Sequence, residues 1–189
     1  GHGDREEITR EEAITLFDLA GVGKSPSRFD LKKLENLNGH YLRAADDARL
    51  AELVAERIGN NLDLALLAEA MPVLKPRAKN LIELSESATF LFATRPLAMT
   101  EKAAELLTDE ARATLRAIYT ALAAQNDWTS ETLEATTKSL AEELGLGLGK
   151  LAQPMRAALT GTTTSPGIFD VLVLLGRDEA LARIDAQAA

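Results

Sequence analysis

The sequence predicts an all-α fold, a multi-helix array of two packed helical subdomains. Three observations predict it. Apolar residues recur at three- and four-residue spacing through most of the chain, no stretch alternates convincingly with a period of two, and Thr or Asp stands before several of the apolar runs while a glycine closes others. The loops left over are two to eight residues long, which suits helices packed against their sequence neighbours.

In chain order, Thr9 followed three residues later by Glu12 is a capping box, and Ala13, Leu16, Phe17 and Ala20 make the apolar stripe of a first helix ending near Gly21. GVGKSPSRFD, with two glycines and a proline, reads as an exposed turn. Asp30 then caps a second helix with Leu31, Leu34, Asn38 and Tyr41 or Leu42 on one face. A third starts at Asp46 or Asp47, turns Leu50, Leu53, Val54 and Ile58 inward, and stops at Gly59. A fourth, from about Leu62 to Leu74, gathers Leu66, Leu67, Ala70 and Met71, with Pro72 expected to kink or shorten it. The next segment starts at Pro76 and is expected to run as a helix towards Phe92, with Arg77, Lys79 and Asn80 on its exposed side.

After a turn at Arg95-Pro96, Thr100 caps a short helix to about Leu107, and Thr108 caps a long one carrying Leu115, Ile118, Tyr119 and Leu122. Asp127-Trp128-Thr129 is a loop and cap before a helix with Leu133, Thr137, Leu140 and Leu144 on one face. The glycine-rich run GLGLGK, residues 145–150, lacks the GxxxxGK[ST] spacing of a phosphate loop, because Leu151 follows Lys150, and reads better as a helix stop.

The stretch Gly149 to Arg177 reads as helix, loop, helix, and its residue choices are hard to explain by packing alone. Gln153, Pro154 and Arg156 interrupt a Leu/Ala/Met helix, and the loop from Thr160 strings threonines, a serine and a glycine together. Pro166 fits the first turn of a helix with Ser165 as its N-cap, Ile168, Val171, Leu172 and Leu175 form its buried stripe, and Gly176 ends it. No acid lies between Gly145 and Phe169. Hydroxyls and a fresh helix N-terminus suit an anionic or polar partner, and a Ser/Thr-rich connector between core helices is the plainer alternative.

With 189 residues the chain is long enough for a real core, and with no cysteine it excludes zinc-finger, iron–sulfur and thiol-nucleophile chemistry. No apolar run reaches the roughly 18 residues of a membrane span and no basic-then-apolar leader opens the sequence, so a soluble, cytoplasmic protein is expected. The formal charge of −8 argues at first against nucleic acid. Its distribution reverses that. Residues 21–45 carry a local +3 from Lys24, Arg28, Lys32, Lys33 and Arg43 against Asp30 and Glu35; residues 71–82 carry +3 from Lys75, Arg77 and Lys79; residues 144–169 carry +2 from Lys150 and Arg156.

Catalytic constellations are absent from the pattern. His2 and His40 have no orienting partner in sequence, and the acid pairs Glu11-Glu12, Asp46-Asp47 and Glu142-Glu143 fall on polar helix faces. Arg77, Arg156 and Phe169 stand out instead, since an arginine fork can hold a base edge or phosphate and an aromatic beside a helix start can stack on an unpaired base.

The run KLAQPMRAALTGTTTSPGIFDVLVLLGRDEALARI resembles the C-terminal signature of bacterial glutamyl-tRNA synthetases, which keep a QPLRxALTG helix, an SPG(I/L)F turn and an LLG(K/R)E…L.RI ending. DWTSETLEATTKSLAEELGLGLGK is similar to the family's W-x-x-x-x-L-E helix, KSPSRFDLKKLENLNGHYLR to its stem-contact segment, and GHGDREEIT to the stretch after its catalytic lysine loop. The His-x-Gly-His and Lys-x-Ser-Lys signatures of the family's ATP- and glutamate-binding half do not occur in these 189 residues.

The resemblance implies the stem-contact and anticodon-binding region alone, an α-helical cage, with a stem-contact subdomain at 1–72 and an anticodon-binding subdomain at 73–189, the boundary falling between 60 and 100. It implies no catalysis by this chain itself, no cofactor in it, and ATP and Mg for the full-length enzyme. The partner implied is glutamate tRNA or also glutamine tRNA, with no membrane and no DNA, and the chain is expected as a monomer. By motif, Arg77 would inspect the third anticodon base and Arg156 the first, with Ser165, Pro166, Ile168 and Phe169 packing around the bases. Lys32, Lys33, Asn38 and Tyr41 would meet the stem. Asn36 stands where the family usually has tryptophan. The alternative function is a helical protein–protein interaction module, which no detectable tRNA binding at low salt would favour.

Overall fold

The computed structural model describes residues 7–23, 29–59 and 61–189; His2, Lys24 and Arg28 lie outside the described residues. Ten α-helices follow one another: α1 (Arg10–Leu16), α2 (Leu31–Ala44), α3 (Asp47–Ile58), α4 (Leu64–Leu74), α5 (Leu81–Ala88), α6 (Glu101–Glu105), α7 (Asp109–Ala123), α8 (Ser130–Glu143), α9 (Leu148–Thr160) and α10 (Ile168–Ala188). Among the described residues there is no strand, and no helix is long and apolar enough to cross a membrane.

The helices begin where a short polar side chain can satisfy an orphan N–H. The Thr9 and Glu12 side chains exchange bonds in a complete capping box, and Asp30, Asp46, Asp63, Thr100, Thr108 and Thr129 each accept from a first-turn amide. Arginines close the other ends. Arg177 donates to the carbonyls of Gln125 and Ala123 just past α7, and Arg112 and Arg116 reach the last carbonyls of α10, cations placed against the negative ends of helices.

Two packed groups result. In the first, α3, α4 and α5 bury Leu50, Val54, Leu67, Met71, Leu74 and Leu84 against one another; in the second, α7, α8, α9 and α10 enclose Leu115, Ile118, Leu133, Leu151, Met155 and Leu172. Helix α4 touches α10, so the two cores meet. Across that junction Arg183, only 2 % exposed, spreads its guanidinium over the carbonyls of Phe90 (2.8 Å), Leu159 (2.7 Å) and Ala93 (2.9 Å) and pairs with Glu179 at 2.7 Å. An interior guanidinium of this kind is stable only when its donors are nearly all used.

Several expectations are corrected. Helix α1 stops at Leu16, because Asp18 accepts the Ala20 amide and restarts the chain as a 3₁₀ turn, Leu19–Gly21. Its apolar stripe is not core: Leu16 and Phe17 are 38 and 68 % exposed and Ala20 is exposed, as are Ile14 and Leu19 beside them. Helix α2 buries Gly39 and Leu42, while Leu31, Leu34 and Tyr41 face outward. No continuous helix runs from Pro76 to Phe92. Lys75–Arg77 form a 3₁₀ turn, Ala78 is extended, and Asn80, rather than lying on a helix face, caps α5 by accepting the Glu83 amide.

Pro72 does not end α4, since in the last turn it removes only one intrahelical donor. Leu144 is 43 % exposed. Ser165 is not the N-cap and Pro166 is not helical: α10 starts at Ile168 behind Gly167. Gly176, at φ 72°, ψ 164°, breaks that helix, and a further run of turns follows it directly. The indole N–H of Trp128 donates to the Leu172 carbonyl at 3.0 Å, which ties the start of α8 to the first half of α10.

Candidate nucleic-acid interface

The Lys75–Arg77 turn is fastened on both flanks. Lys75 Nζ donates to the Ala45 carbonyl at 3.0 Å and pairs with Asp47 at 2.7 Å. On the far side the Asn38 amide donates to the Lys79 carbonyl at 2.6 Å, and Gly39 lies so close that an added Cβ would sit 3.5 Å from Lys79 Cα. Between these two anchors Arg77 projects to the other group of helices and donates to the Ser165 carbonyl at 2.7 Å, across 88 residues of sequence.

Arg156 approaches the same residue from α9. Its Nε donates to Ser165 Oγ at 2.8 Å, and that hydroxyl donates in turn to the Pro166 carbonyl at 2.9 Å. This explains why Ser165 does not cap α10, since its hydroxyl is already committed between Arg156 and a carbonyl. The loop holds itself in shape with its threonines. The Thr160 hydroxyl donates to the Arg156 carbonyl and accepts the Thr162 amide, and the Thr162 hydroxyl donates to the Thr164 carbonyl at 2.6 Å. At its root Gly161 adopts φ 72°, and a Cβ there would stand 2.2 Å from the Ala98 carbonyl oxygen, so only glycine fits. The Gly161 carbonyl accepts the Thr100 amide at 2.9 Å.

Neither Arg77 nor Arg156 has a carboxylate partner among the described residues. Arg156 is half-buried, and burial first, then the charge of Arg77, pushes its pKa below the usual arginine range. Two guanidiniums within electrostatic reach of each other, held by a carbonyl and a hydroxyl rather than by acid, leave positive charge and unused N–H donors for an outside acceptor. Beside them opens a cleft of about 380 Å³, with Arg77, Thr162, Thr164 and Ser165 on its walls and Glu83 and Glu86 also bordering it. Among the described residues no three or more His, Cys, Asp or Glu side chains are grouped to hold a metal ion.

The remaining sequence-predicted residues fall into three situations. Pro166 is buried and lines the cleft, Phe169 is half-buried against the core, and Ile168, at 5 % exposure, lies in the core as its place on the apolar stripe of α10 predicts. Lys32 and Lys33 border a second, separate cleft of about 340 Å³ with Glu7, Asp30, His40 and Arg43; His40 Nδ1 lies 3.1 Å from Glu7, both exposed. Asn38 and Tyr41 are exposed and also bond within the protein, the Asn38 amide nitrogen to the Lys79 carbonyl and the Tyr41 hydroxyl donating to the Ile8 carbonyl at 2.7 Å and accepting the Ile8 amide. Missed by sequence reasoning were Lys75 as an anchor and Arg183 as a junction. The signal for Arg183 was an arginine one residue before Ile184 and three after Ala180, inside an otherwise apolar face.

A family profile described as "Anticodon binding domain" matches residues 49–188. Among curated proteins the chain is 71 % identical to Glutamate–tRNA ligase 1 of Erythrobacter litoralis, over all of this chain and 39 % of that one. It is 62 % identical to Glutamate–tRNA ligase 2 of Novosphingobium aromaticivorans, over all of this chain and 40 % of that one. The chain thus spans about two fifths of the length of the curated relatives it matches. In fold it is similar to the crystal structure of a glutamate tRNA ligase from Elizabethkingia meningosepticum in complex with its amino acid, with a TM-score of 0.81 at 24 % identity over 96 % of this chain and 36 % of that one. The glutamate-tRNA synthetase of Elizabethkingia anophelis gives a TM-score of 0.74 at 25 % identity, again over 96 % of this chain and 36 % of the other.

Proposed function

The chain belongs to the anticodon-binding domain family, in the form carried by glutamate–tRNA ligases, and from that premise we propose that it binds glutamate tRNA and inspects the anticodon at the Arg77–Ser165–Arg156 cluster. The observation that carries this reading is the convergence of two arginines, from helical groups far apart in sequence, on one loop residue without a carboxylate to neutralise them. Arg77 serves the third anticodon base and Arg156 the first, each through guanidinium N–H groups left over from its bond to Ser165. Ser165, Pro166 and Phe169 border the bases, and Lys32 and Lys33 meet phosphates of the stem, contacts that set register while the arginines specify. Catalysis, with ATP and Mg, belongs to the longer ligases rather than to these 189 residues. Glutamine tRNA, which a ligase of this kind can also take, is separated from glutamate tRNA by the same third-base test.

The test is filter binding of the 189-residue chain to a glutamate tRNA transcript and to one altered at the third anticodon base, wild type against Arg77→Gln. A lost bidentate contact is worth ~1–3 kcal/mol by analogy with base readout in duplexes, so the preference for the correct base should shrink roughly five- to 150-fold. An unchanged preference would remove Arg77 from the reading.

A further inference from the structure

We infer that Ser165 is a positioning residue that binds the two arginines into one reading unit, so that recognition at the first and third anticodon positions is coupled rather than independent. The inference rests on the anticodon reading above and adds to it a statement about how the site works. Its basis is that one residue serves both arginines with two different groups: the backbone carbonyl accepts from Arg77 NH1 at 2.7 Å, and the hydroxyl accepts from Arg156 Nε at 2.8 Å. Rotation about χ1 does not free the hydroxyl cheaply, because it also donates to the Pro166 carbonyl at 2.9 Å and so ties Arg156 to the backbone next to the carbonyl on which Arg77 rests.

The loop gives this coupling its stiffness. Thr160 and Thr162 tie it to itself and to the Arg156 carbonyl, the buried Pro166 closes it at one end, and Gly161 is pressed against Ala98 at the other. A base that draws Arg156 away from Ser165 Oγ therefore strains or frees the carbonyl on which Arg77 rests, and the reverse holds for Arg77. Electrostatics act in the same direction: each guanidinium lies in the field of the other and, among the described residues, neither forms an ion pair with a carboxylate, so an acceptor that engages one lowers the cost of holding the second. Groups that share a hydrogen-bond network are the ones whose effects fail to add.

The experiment measures dissociation constants of the 189-residue chain for three glutamate tRNA transcripts: unaltered, changed at the first anticodon base, and changed at the third. The proteins are wild type, Arg77→Gln, Arg156→Gln, the double variant, Ser165→Ala and Ser165→Thr, with circular dichroism melts confirming that each is folded. Coupling requires that Arg156→Gln weaken discrimination at the third base, which it does not itself serve, by about threefold or more. The double variant then loses less than the product of the single losses. Ser165→Ala should reduce discrimination at both bases, and Ser165→Thr, which keeps the hydroxyl, should restore what alanine loses; a purely structural serine would shift affinity for all three transcripts equally. If each arginine affects only its own base and the double variant is multiplicative, the coupling is refuted while the anticodon reading stands. If both single variants leave both preferences unchanged, the reading itself fails and the coupling with it.

Discussion

Replacing Arg183 by methionine is the most severe single test of the fold, because the side chain touches both cores. Methionine keeps most of the apolar stem and removes the donors, leaving the Phe90, Leu159 and Ala93 carbonyls without the bonds of 2.7–2.9 Å that now satisfy them. A buried acceptor stripped of its donor costs about 1–3 kcal/mol, so three would total about 3–9 kcal/mol, a large share of the roughly 5–15 kcal/mol that a domain possesses. Two effects reduce the sum. The native guanidinium is itself desolvated, and Glu179, whose side chain is 33 % exposed, keeps Arg95 at 3.3 Å and access to water once Arg183 is gone. Removal of one member of a buried charged pair typically costs about 3–5 kcal/mol, and that range is adopted here. For 150–250 residues each kcal/mol lowers the melting temperature by about 2–4 °C, so a thermal melt followed by circular dichroism should fall roughly 6–20 °C. Arg183→Lys should recover only a minor part, since one ammonium cannot reach three carbonyls in a fork. A melting temperature for Arg183→Met within about 2 °C of wild type would refute the account of the junction.

Three further outcomes follow from particular contacts. Gly161→Ala, at φ 72° with its Cβ aimed 2.2 Å from the Ala98 oxygen, should cost upwards of about 1–3 kcal/mol, and a chemical denaturation midpoint equal to wild type would contradict it. Trp128→Phe keeps an aromatic ring but removes the donor to the Leu172 carbonyl, an expected loss of about 1 kcal/mol or more, measured by the same denaturation; an increase in stability would show that the fold does not need that bond. Binding of glutamate tRNA should weaken as salt rises, with a log–log slope of a few units at most for the few cations that face the RNA, and titrations from 50 to 200 mM salt showing no slope would favour the protein-interaction alternative.

Caps were the most legible part of this sequence. Thr9 with Glu12, Asp30, Asp46, Thr100, Thr108 and Thr129 all act as read, because capping is decided within three residues and needs no tertiary knowledge. The face of α7 was equally plain, Leu115, Ile118 and Leu122 being fully buried. Where local rules failed, a distant partner had prior use of the same atoms. Ser165 has the chemistry of an N-cap, yet Arg156 engages its hydroxyl. Asn38 and Tyr41, both exposed, also bond within the protein, to Lys79 and Ile8, which their spacing on α2 could not show. The stripe of α1 and the first turns of α2 had good helical spacing, but spacing identifies an apolar face without saying what covers it, and no described residue does so for Ile14, Phe17, Leu19 or Leu31. Arg77 and Arg156 could be singled out by residue type and by resemblance, while their meeting at Ser165, 88 and nine positions away, is a property of the fold alone.

The turn that carries Arg77 is pinned from both sides by the α2–α3 corner, through Lys75 to Ala45 and Asp47 and through Lys79 to Asn38 and Gly39, while the arginine's tip rests on a loop of the other helical group. Its guanidinium is therefore a polar tie between the two helical groups, fixed at its base by the α2–α3 corner and at its tip by Ser165.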